Sequence, residues 1–378
     1  MAILNQKNLL SLTVVTLILS LFPGLMVSGQ EREPVGFLYT ATNDANSNEV
    51  VAYPRFGKGK LSEPIRYNTN GKGTGTGLGN QNGLEIDQAN SCLYAINAGS
   101  NEITSFSIQP KGLAYADKIN SGGLRPISIT TNGKYLYVLN AGGRVENSDN
   151  ISGFTVDRDC RMNPLADSTR PLSQADTNPA QIKFTNDGGL LIVTEKATNK
   201  ISTYQVDDRG LPSNPKSFDS AGTTPFGFSI AKRNQLYVSE ANGGAPGGGS
   251  VSSYLIQSNG DIQRIASAIP SNQTATCWLV ASNDGRFAYV TNTGDRSISA
   301  FSIGFSGTVN LLNPVAAETG TGTAPIDLGL SNNGLNLYAL DDEIGSIAAF
   351  RVNPILGNLT KIQIVKGLPN GANGIAVR

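Results

Sequence analysis

Short runs in which apolar and polar residues alternate recur along the chain from about residue 36 onwards. One kind of run has the form of "YLYVLN", and its aligned central residues are Tyr39, Tyr94, Tyr137, Ile192, Tyr237, Tyr289 and Tyr338. Successive members are 43 to 55 residues apart. Alternation of this kind predicts β-strands, and a recurring spacing predicts a repeated structural unit.

Each of these runs is followed by a second alternating run, such as "EITSFSI", "KISTYQV" or "SISAFSI". Most are preceded by another strand and a hairpin turn, as in "PAQIKFTNDGG" and "TCWLVASNDGR", where Asn-Asp-Gly supplies the turn. Seven units of four antiparallel strands predict an all-β, seven-bladed β-propeller. The first unit lacks its first strand, and the chain ends on the unpartnered strand "ANGIAVR". We therefore expect the C-terminal strand to join the N-terminal blade and close the ring.

The first 29 residues read as a signal peptide. Lys7 precedes the apolar run Leu9 to Phe22, and Val27-Ser28-Gly29 offers small residues for cleavage after Gly29. The apolar run is shorter than the roughly 20 residues of a membrane span, although an uncleaved anchor is the alternative. We expect residues 30–378 to form one propeller domain that is secreted or periplasmic, monomeric and without a membrane span.

The amino-acid composition excludes several kinds of partner and catalytic site. The 29 basic and 29 acidic residues balance, which argues against nucleic acid as a partner. The chain has no histidine, so Ser-His-Asp catalysis and histidine metal ligands are excluded. Three cysteines, Cys92, Cys160 and Cys277, allow at most one internal disulfide, such as Cys92–Cys160, with unpaired thiols as the alternative.

The most unusual stretch is "GKGTGTGLG", with glycine at every second position from Gly71 to Gly79. It lacks the GxxxxGK[ST] order of a phosphate-binding loop and the strand–helix context of a dinucleotide fingerprint. We interpret it as a flexible or closely packed loop between two blades. An anion cradle of backbone N–H groups is the alternative.

Candidate chemistry lies where the second strand of each unit ends, three residues after each repeat tyrosine. The residues there are Thr42, Asn97, Asn140, Glu195, Glu240, Asn292 and Asp341. Asparagine in this place is typical of a turn, whereas glutamate is a poor turn residue, so Glu195 and Glu240 are predicted as catalytic. Predicted substrate-binding residues are Arg125, Arg144, Gln181, Trp278, Asp327 and Asp341.

The chain resembles the seven-bladed lactonase family, which includes proteins similar to 6-phosphogluconolactonase and to carboxymuconate-lactonizing enzymes. The resemblance rests on "GTGTGLGNQNGL", "LYVLNAGG", "VTEKATNKISTY", "TPFGF", "EANGGAPGGGSVSSY" and "TCWLVASNDGRFAYVTNTG". The run Tyr289 to Asn292 also matches the YVTN repeat of surface-layer propellers. The resemblance implies lactone hydrolysis, or the reverse ring closure, in the central channel, with Glu195 matching the family's glutamate. The family's histidine has no counterpart here.

Two functions stay open from the sequence. An exported lactonase would use Glu195 or Glu240 as general base, with Arg125 or Arg144 binding a substrate carboxylate and the developing oxyanion. This version needs no cofactor or metal, although a Ca²⁺ or Mg²⁺ ion bound by Glu195, Glu240, Asp341 and the asparagines is the alternative. A non-catalytic surface or extracellular propeller would instead bind a glycan, a peptide or a protein partner.

Overall fold

The computed structural model describes residues 33–142 and 149–378, and residues 34–378 form one compact unit. That unit contains seven sheets, the blades, of which six have four strands and the third has five. The strands of blades 1 to 4 are β1 Gly36–Ala41, β2 Glu49–Arg55, β3 Ile65–Asn68; β4 Leu84–Asp87, β5 Cys92–Asn97, β6 Glu102–Gln109, β7 Gly112–Asn120; β8 Pro126–Thr131, β9 Tyr135–Ala141, β10 Asp149–Val156, β11 Met162–Pro164, β12 Arg170–Pro171; and β13 Pro179–Phe184, β14 Leu190–Glu195, β15 Lys200–Gln205, β16 Lys216–Asp219.

The strands of blades 5 to 7 are β17 Pro225–Ile230, β18 Gln235–Glu240, β19 Ser250–Ile256, β20 Ile262–Pro270; β21 Thr276–Ala281, β22 Phe287–Asn292, β23 Ser297–Ile303, β24 Val309–Glu318; and β25 Pro325–Leu330, β26 Asn336–Asp341, β27 Ser346–Val352, β28 Leu359–Lys366. The last strand, β29 Asn373–Val377, belongs to blade 1. Three short 3₁₀ turns lie at Gly57–Gly59, Lys232–Asn234 and Asn242–Gly244. In blade 3, β11 and β12 share the outer position beside β10.

The ring closes between the two ends of the chain. Strand β29 pairs antiparallel with β1, with Leu38 opposite Val377 and Tyr39 opposite Ala376. The pairing gives blade 1 the inner strand that the N-terminal part of the chain lacks. The predicted seven-bladed architecture and its closure are confirmed.

Three of the repeat tyrosines bond to the neighbouring blade. Tyr137, Tyr289 and Tyr338 are fully buried. Each hydroxyl donates to a glycine carbonyl in the outer hairpin of the next blade, as Tyr289 does to Gly357 at 3.0 Å. The accepting glycines have left-handed backbone angles, as at Gly357 with φ 75°. At these three positions the repeat specifies both the strand and its contact with the following blade, whereas Tyr237 donates to Gln235 and the Tyr39 and Tyr94 hydroxyls have no partner among the described residues.

A disulfide replaces this contact between blades 2 and 3. Cys160 occupies the position that glycine holds in the other outer hairpins, has φ 61°, and is bonded to Cys92 on β5. Cys277 is a buried free thiol. Of the pairings that the sequence left open, the structure thus contains Cys92–Cys160.

The blades surround a central channel, and the two faces of the propeller differ in their connections. The face that carries the connections between second and third strands, and those between blades, is called the upper face. The opposite face is called the lower face. Within the described ranges, no helix is long and apolar enough to cross a membrane. The predicted signal peptide, residues 1–29, lies outside the described residues.

Candidate active site in the central channel

The glycine-rich connection between blades 1 and 2 ends inside the channel. We call residues 79–82 the plug. Asn80 contacts three blades: its amide N–H donates to the Ile127 carbonyl of blade 3, its Oδ1 accepts from Asn373 of blade 1 at 2.7 Å, and its backbone carbonyl accepts from the Trp278 indole of blade 6 at 2.6 Å. Contacts with inner strands on different sides of the ring place Asn80 across the channel. Of the two descriptions that the sequence left open, flexible or closely packed, this end of the connection is closely packed.

Gln81 crosses to the far wall of the channel. Its amide donates to the Leu279 carbonyl at 2.9 Å and accepts from the Leu279 N–H at 3.1 Å. Gly227 leaves the space that Gln81 occupies, since a Cβ added there would lie 2.0 Å from the Gln81 Oε1. Gln181 makes the same pair of bonds to Phe228, one blade earlier in the ring. Gln81 therefore binds the backbone of blade 6 from the plug in the same way that Gln181 of blade 4 binds the backbone of blade 5.

Glu195, one of the two predicted catalytic residues, has no exposed surface. Its carboxylate accepts from the Ser173 N–H at 3.2 Å, the Thr198 hydroxyl at 2.9 Å and the Ser202 hydroxyl at 2.6 Å, and also from the Ser173 hydroxyl. A buried carboxylate needs hydrogen-bond donors in place of water, and one connection and one hairpin supply four of them here. This arrangement fixes the upper end of blade 4.

Glu240 occupies the equivalent position in blade 5 and is also fully buried. Its Oε2 accepts from the Ser250 hydroxyl at 2.5 Å, while its Oε1 has no hydrogen-bond partner. Burial raises the pKa of this carboxyl to about 7, against the lowering effect of the Ser250 hydroxyl. Gly222 and Ser250 cover it and line a cleft of about 380 Å³ on the upper face. No contact joins Glu240 to Glu195.

The other predicted residues are dispersed. The Arg125 side chain is exposed on the upper face, and Gln181 is used in the inter-blade contact described above. Trp278 is buried against the Phe226 ring at 4.7 Å, and its indole binds the plug. Asp327 and Asp341 are buried, and each accepts a hydrogen bond from a backbone N–H group. Burial raises the pKa of both carboxyls. Arg144 lies outside the described residues.

The structure offers no ready metal centre where it describes the chain. Across residues 33–142 and 149–378, no group of three or more acidic, cysteine or histidine side chains is arranged to hold an ion. Glu195, Glu240 and Asp341 each bond within their own blade and its preceding connection. The residues present therefore do not fit a shared Ca²⁺ or Mg²⁺ site at these positions.

Above the plug, the channel wall carries one buried cation. Lys196 points away from its neighbour Glu195; its Nζ donates to the Gly79 carbonyl and lies 4.7 Å from the centre of the Phe226 ring. Among the described residues no carboxylate forms an ion pair with it. Burial lowers the pKa of Lys196 to about 8. The buried apolar residues Ala180, Phe226, Cys277 and Trp278 pack together in this wall.

Below the plug lies a cleft of about 340 Å³, which we call the lower cleft. Its lining is Glu85, Thr130, Thr131, Asn132, Lys134, Lys183, Phe184, Thr185, Asn186, Asp187 and Gly188. The Glu85 side chain is 17% exposed, and its Oε1 lies 3.6 Å from the Lys183 Nζ. Its Oε2 accepts from the Asn82 amide at 2.9 Å. Burial raises the pKa of Glu85, while Lys183 acts in the opposite direction.

The lower cleft is asymmetric because of one position in the repeat. The inner-strand residues that pair with the repeat tyrosine position are, in ring order from blade 1, Ala376, Glu85, Thr130, Lys183, Ser229, Val280 and Gly329. Only blades 2 and 4 place a charge there, on either side of the Thr130 hydroxyl. Small or apolar residues occupy the opposite half of the ring.

Comparison with known families identifies the family of this propeller. Residues 35–162 and 248–371, more than half of the chain, match the model of the family described as lactonase, 7-bladed β-propeller. The chain belongs to this family. Within the family, an uncharacterized protein of Staphylococcus epidermidis is 27% identical over 227 residues, which make up 56% of this chain and 65% of that protein. The chain thus spans less than two thirds of the length of that relative.

Two further relatives carry functional names. The 6-phosphogluconolactonase of Bacillus subtilis is 22% identical over 310 residues, or 77% of this chain and 86% of that protein. The solved structure of a periplasmic gluconolactonase from Pseudomonas aeruginosa has a TM-score of 0.67 and 18% identity, covering 91% of this chain and 99% of that one. At these identities the likeness shows the shared propeller fold.

Among the described residues, none of those predicted from the sequence of this lactonase-family propeller lines the lower cleft. Glu85 and Lys183 were missed because "GLEID" and "QIKF" read as ordinary inner strands. A usable signal was present: aligning the inner strands against the repeat tyrosines isolates the two charged members of an otherwise uncharged set. Their approach across blade 3 becomes visible only in the closed ring.

Proposed function

We propose that this propeller hydrolyses a small sugar-acid lactone, or forms one in reverse, in the lower cleft. The observation that carries the proposal is the Glu85 carboxyl, which is mostly buried, has a raised pKa and lies 3.6 Å from Lys183 in a polar cleft. A concave site with convergent polar groups and a perturbed titratable residue is where chemistry is expected. Family membership makes lactone chemistry the first reaction to test.

The residues of the cleft suit that reaction. Glu85 accepts a proton from water as the water oxygen attacks the lactone carbonyl, so that a C–O bond forms. The Lys183 ammonium stabilises the negative charge that develops on the carbonyl oxygen. The ring C–O bond then breaks, and the protonated Glu85 returns the proton to the departing ring oxygen. The products are a hydroxy acid and the starting form of Glu85, and ring closure follows the same steps in reverse.

The lining also bears on the substrate. Thr130, Thr131, Asn132, Thr185 and Asn186 offer hydroxyl and amide groups to a polyhydroxylated ring. Lys134 and Lys183 are balanced by Glu85 and Asp187, and hydrogen bonds from Thr185 and Gly189 lower the pKa of Asp187. A lining without net charge favours an uncharged sugar lactone over a phosphorylated one.

Two observations support an exported protein. The apolar run at residues 9–22 has the form of a signal peptide, and the Cys92–Cys160 disulfide suits an oxidising compartment. The relative from Pseudomonas aeruginosa is itself described as periplasmic. We propose a periplasmic or secreted, monomeric propeller, which mass determination of the mature protein in solution would check.

In this proposal Glu195 and Glu240 do not contact substrate, because neither carboxylate has exposed surface. Their catalytic role stays a prediction of the sequence. Mutation separates the two assignments, since Glu85 and Glu195 lie in different blades and share no hydrogen-bond partner.

The test is pH-stat hydrolysis of a lactone panel by the wild type, Glu85→Gln, Lys183→Met and Glu195→Gln, with spontaneous hydrolysis subtracted. Glu102→Gln is the matched control, because Glu102 and Lys118 form a similar pair at 2.6 Å on a surface strand. We expect Glu85→Gln to lose activity by about a hundredfold or more and Glu102→Gln to keep it. EDTA should have no effect. Full activity in Glu85→Gln, or its loss only in Glu195→Gln, would contradict the proposal, and no turnover of any lactone would favour the non-catalytic binding propeller.

A further inference from the structure

We propose that Asn82, the last residue of the plug, is a positioning residue that holds the Glu85 carboxylate in its working orientation and tunes its proton affinity. This inference rests on the proposed function of the lower cleft. It assigns the glycine-rich connection a part in the reaction, although none of its atoms needs to touch the substrate.

The contacts of Asn82 define its orientation. Its backbone has φ 63°, a left-handed conformation that asparagine tolerates better than most residues. Its carbonyl accepts from the Ile129 N–H of blade 3 at 2.9 Å. Its side-chain oxygen faces the Gln181 amide at 3.5 Å, and its side-chain N–H₂ therefore faces Glu85.

Glu85 is consequently held at both oxygens. Asn82 donates to Oε2 at 2.9 Å, while Lys183 lies 3.6 Å from Oε1. A donor on one oxygen fixes the rotation of the carboxylate and favours its charged form. Without the amide, the carboxylate loses this donor, and a proton binds to it more readily. Asn82 therefore keeps Glu85 oriented and favours its charged form.

The plug that carries Asn82 is anchored on the opposite wall. Gln81, the preceding residue, binds both backbone groups of Leu279 in blade 6, in the space left by Gly227. Its own N–H donates to the Ala180 carbonyl of blade 4 at 3.1 Å. Adjacent residues bonded to blades 3, 4 and 6 have little freedom to rotate. The inner strands of several blades thereby define where the Asn82 amide points.

Two kinds of variant test this chain of contacts. Asn82→Gly removes the amide and keeps the left-handed backbone without strain. Gln81→Ala leaves Asn82 in place and removes the two anchoring bonds to Leu279 without adding bulk to the channel wall. Circular dichroism and thermal melting establish that each variant is folded before its kinetics are compared.

We expect Asn82→Gly to lower kcat about tenfold, with KM nearly unchanged, and to move the acid limb of the pH–rate profile to higher pH. Gln81→Ala should lower kcat in the same way, because the plug loses its anchor on blade 6. A purely structural residue would change the melting temperature without moving the acid limb.

The readout that does not need turnover is the carboxyl ¹³C titration of Glu85, assigned by its absence in Glu85→Gln. The pKa of Glu85 should rise in Asn82→Gly relative to the wild type. An unchanged pKa and acid limb in a folded Asn82→Gly variant would overturn the positioning role, even if Glu85→Gln is inactive. Full activity of Glu85→Gln would instead overturn the proposed function, and the role of Asn82 in catalysis with it.

Discussion

The most quantitative consequence of the structure concerns Lys196, the buried cation above the plug. Its pKa is lowered from 10.5 to about 8, mainly by burial. A lysine whose pKa is lower in the folded protein binds fewer protons there than in the unfolded chain, so stability rises with pH between the two values. The contribution of Lys196 to the stability of the wild type should therefore rise from pH 8 towards pH 10.5.

The size of the effect follows from the two pKa values. Linkage with pKa values of 10.5 and about 8 gives a gain of about 2.5 kcal/mol in the free energy of unfolding between about pH 7 and about pH 10. Lys196→Met has nothing to titrate and lacks this gain. The lost bond to Gly79 and the changed packing do not depend on pH, so they cancel when the two pH values are compared. The coupled thiol of Cys277 stays protonated through this range, because burial raises its pKa to about 12.

The assay is urea unfolding at about pH 7, 8, 9 and 10 for the wild type, Lys196→Met and the control Lys216→Met. Lys216 is 46% exposed and paired with Asp261, so its removal should leave the pH dependence of the wild type intact. We subtract the unfolding free energy of the wild type from that of Lys196→Met at each pH. This difference should be most favourable to the variant at pH 7 and about 2.5 kcal/mol lower at pH 10. A difference that does not change with pH would refute the reasoning.

Three further predictions follow from the contacts described above. Replacing Cys92 and Cys160 together by alanine opens a loop with a sequence separation of 68 and should lower the unfolding free energy by about 4 kcal/mol, measured by urea titration; an effect below about 1 kcal/mol would contradict this. Glu195→Gln should lower stability by about 2 kcal/mol through its lost charge-assisted bonds, while turnover by the folded protein is retained; a selective loss of kcat would restore its predicted catalytic role. Because burial raises the pKa of Glu85, lactone hydrolysis should decline on acidification at a higher pH than an ordinary glutamate would give, as a pH–rate profile would show; a profile flat down to pH 4 would exclude Glu85 as the base.

The fold was predictable because the same strand pattern recurs in every blade. The tyrosine spacing gave the number of blades, and the missing first strand gave the closure between β1 and β29, since an unpaired edge is costly. The disulfide was not predictable from three cysteines. The bond depends on the position of Cys160, which occupies the place of glycine in the other outer hairpins. This correspondence is seen only when the outer hairpins are aligned with one another.

The site was less accessible to sequence reasoning for a physical reason. Glutamate at the end of a second strand, as at Glu195, looked functional because it is a poor turn residue. In the structure, hydroxyl and N–H donors from a neighbouring connection satisfy it, and those partners lie up to 22 positions away in the chain. The glycine-rich stretch was interpreted as a flexible or closely packed connection, and the space that Gln81 fills at its end belongs to Gly227, 146 residues later. Contacts across a closed ring leave no local signature in either segment.

The most direct test of the central claim is a crystal structure of the mature protein with gluconate, the open-chain product of an uncharged sugar lactone. The account predicts gluconate in the lower cleft, with its carboxylate beside Lys183 and its hydroxyl groups on Thr130, Asn132 and Glu85. Gluconate bound above the plug, beside Lys196 and Trp278, would contradict the account and move the site to the upper face.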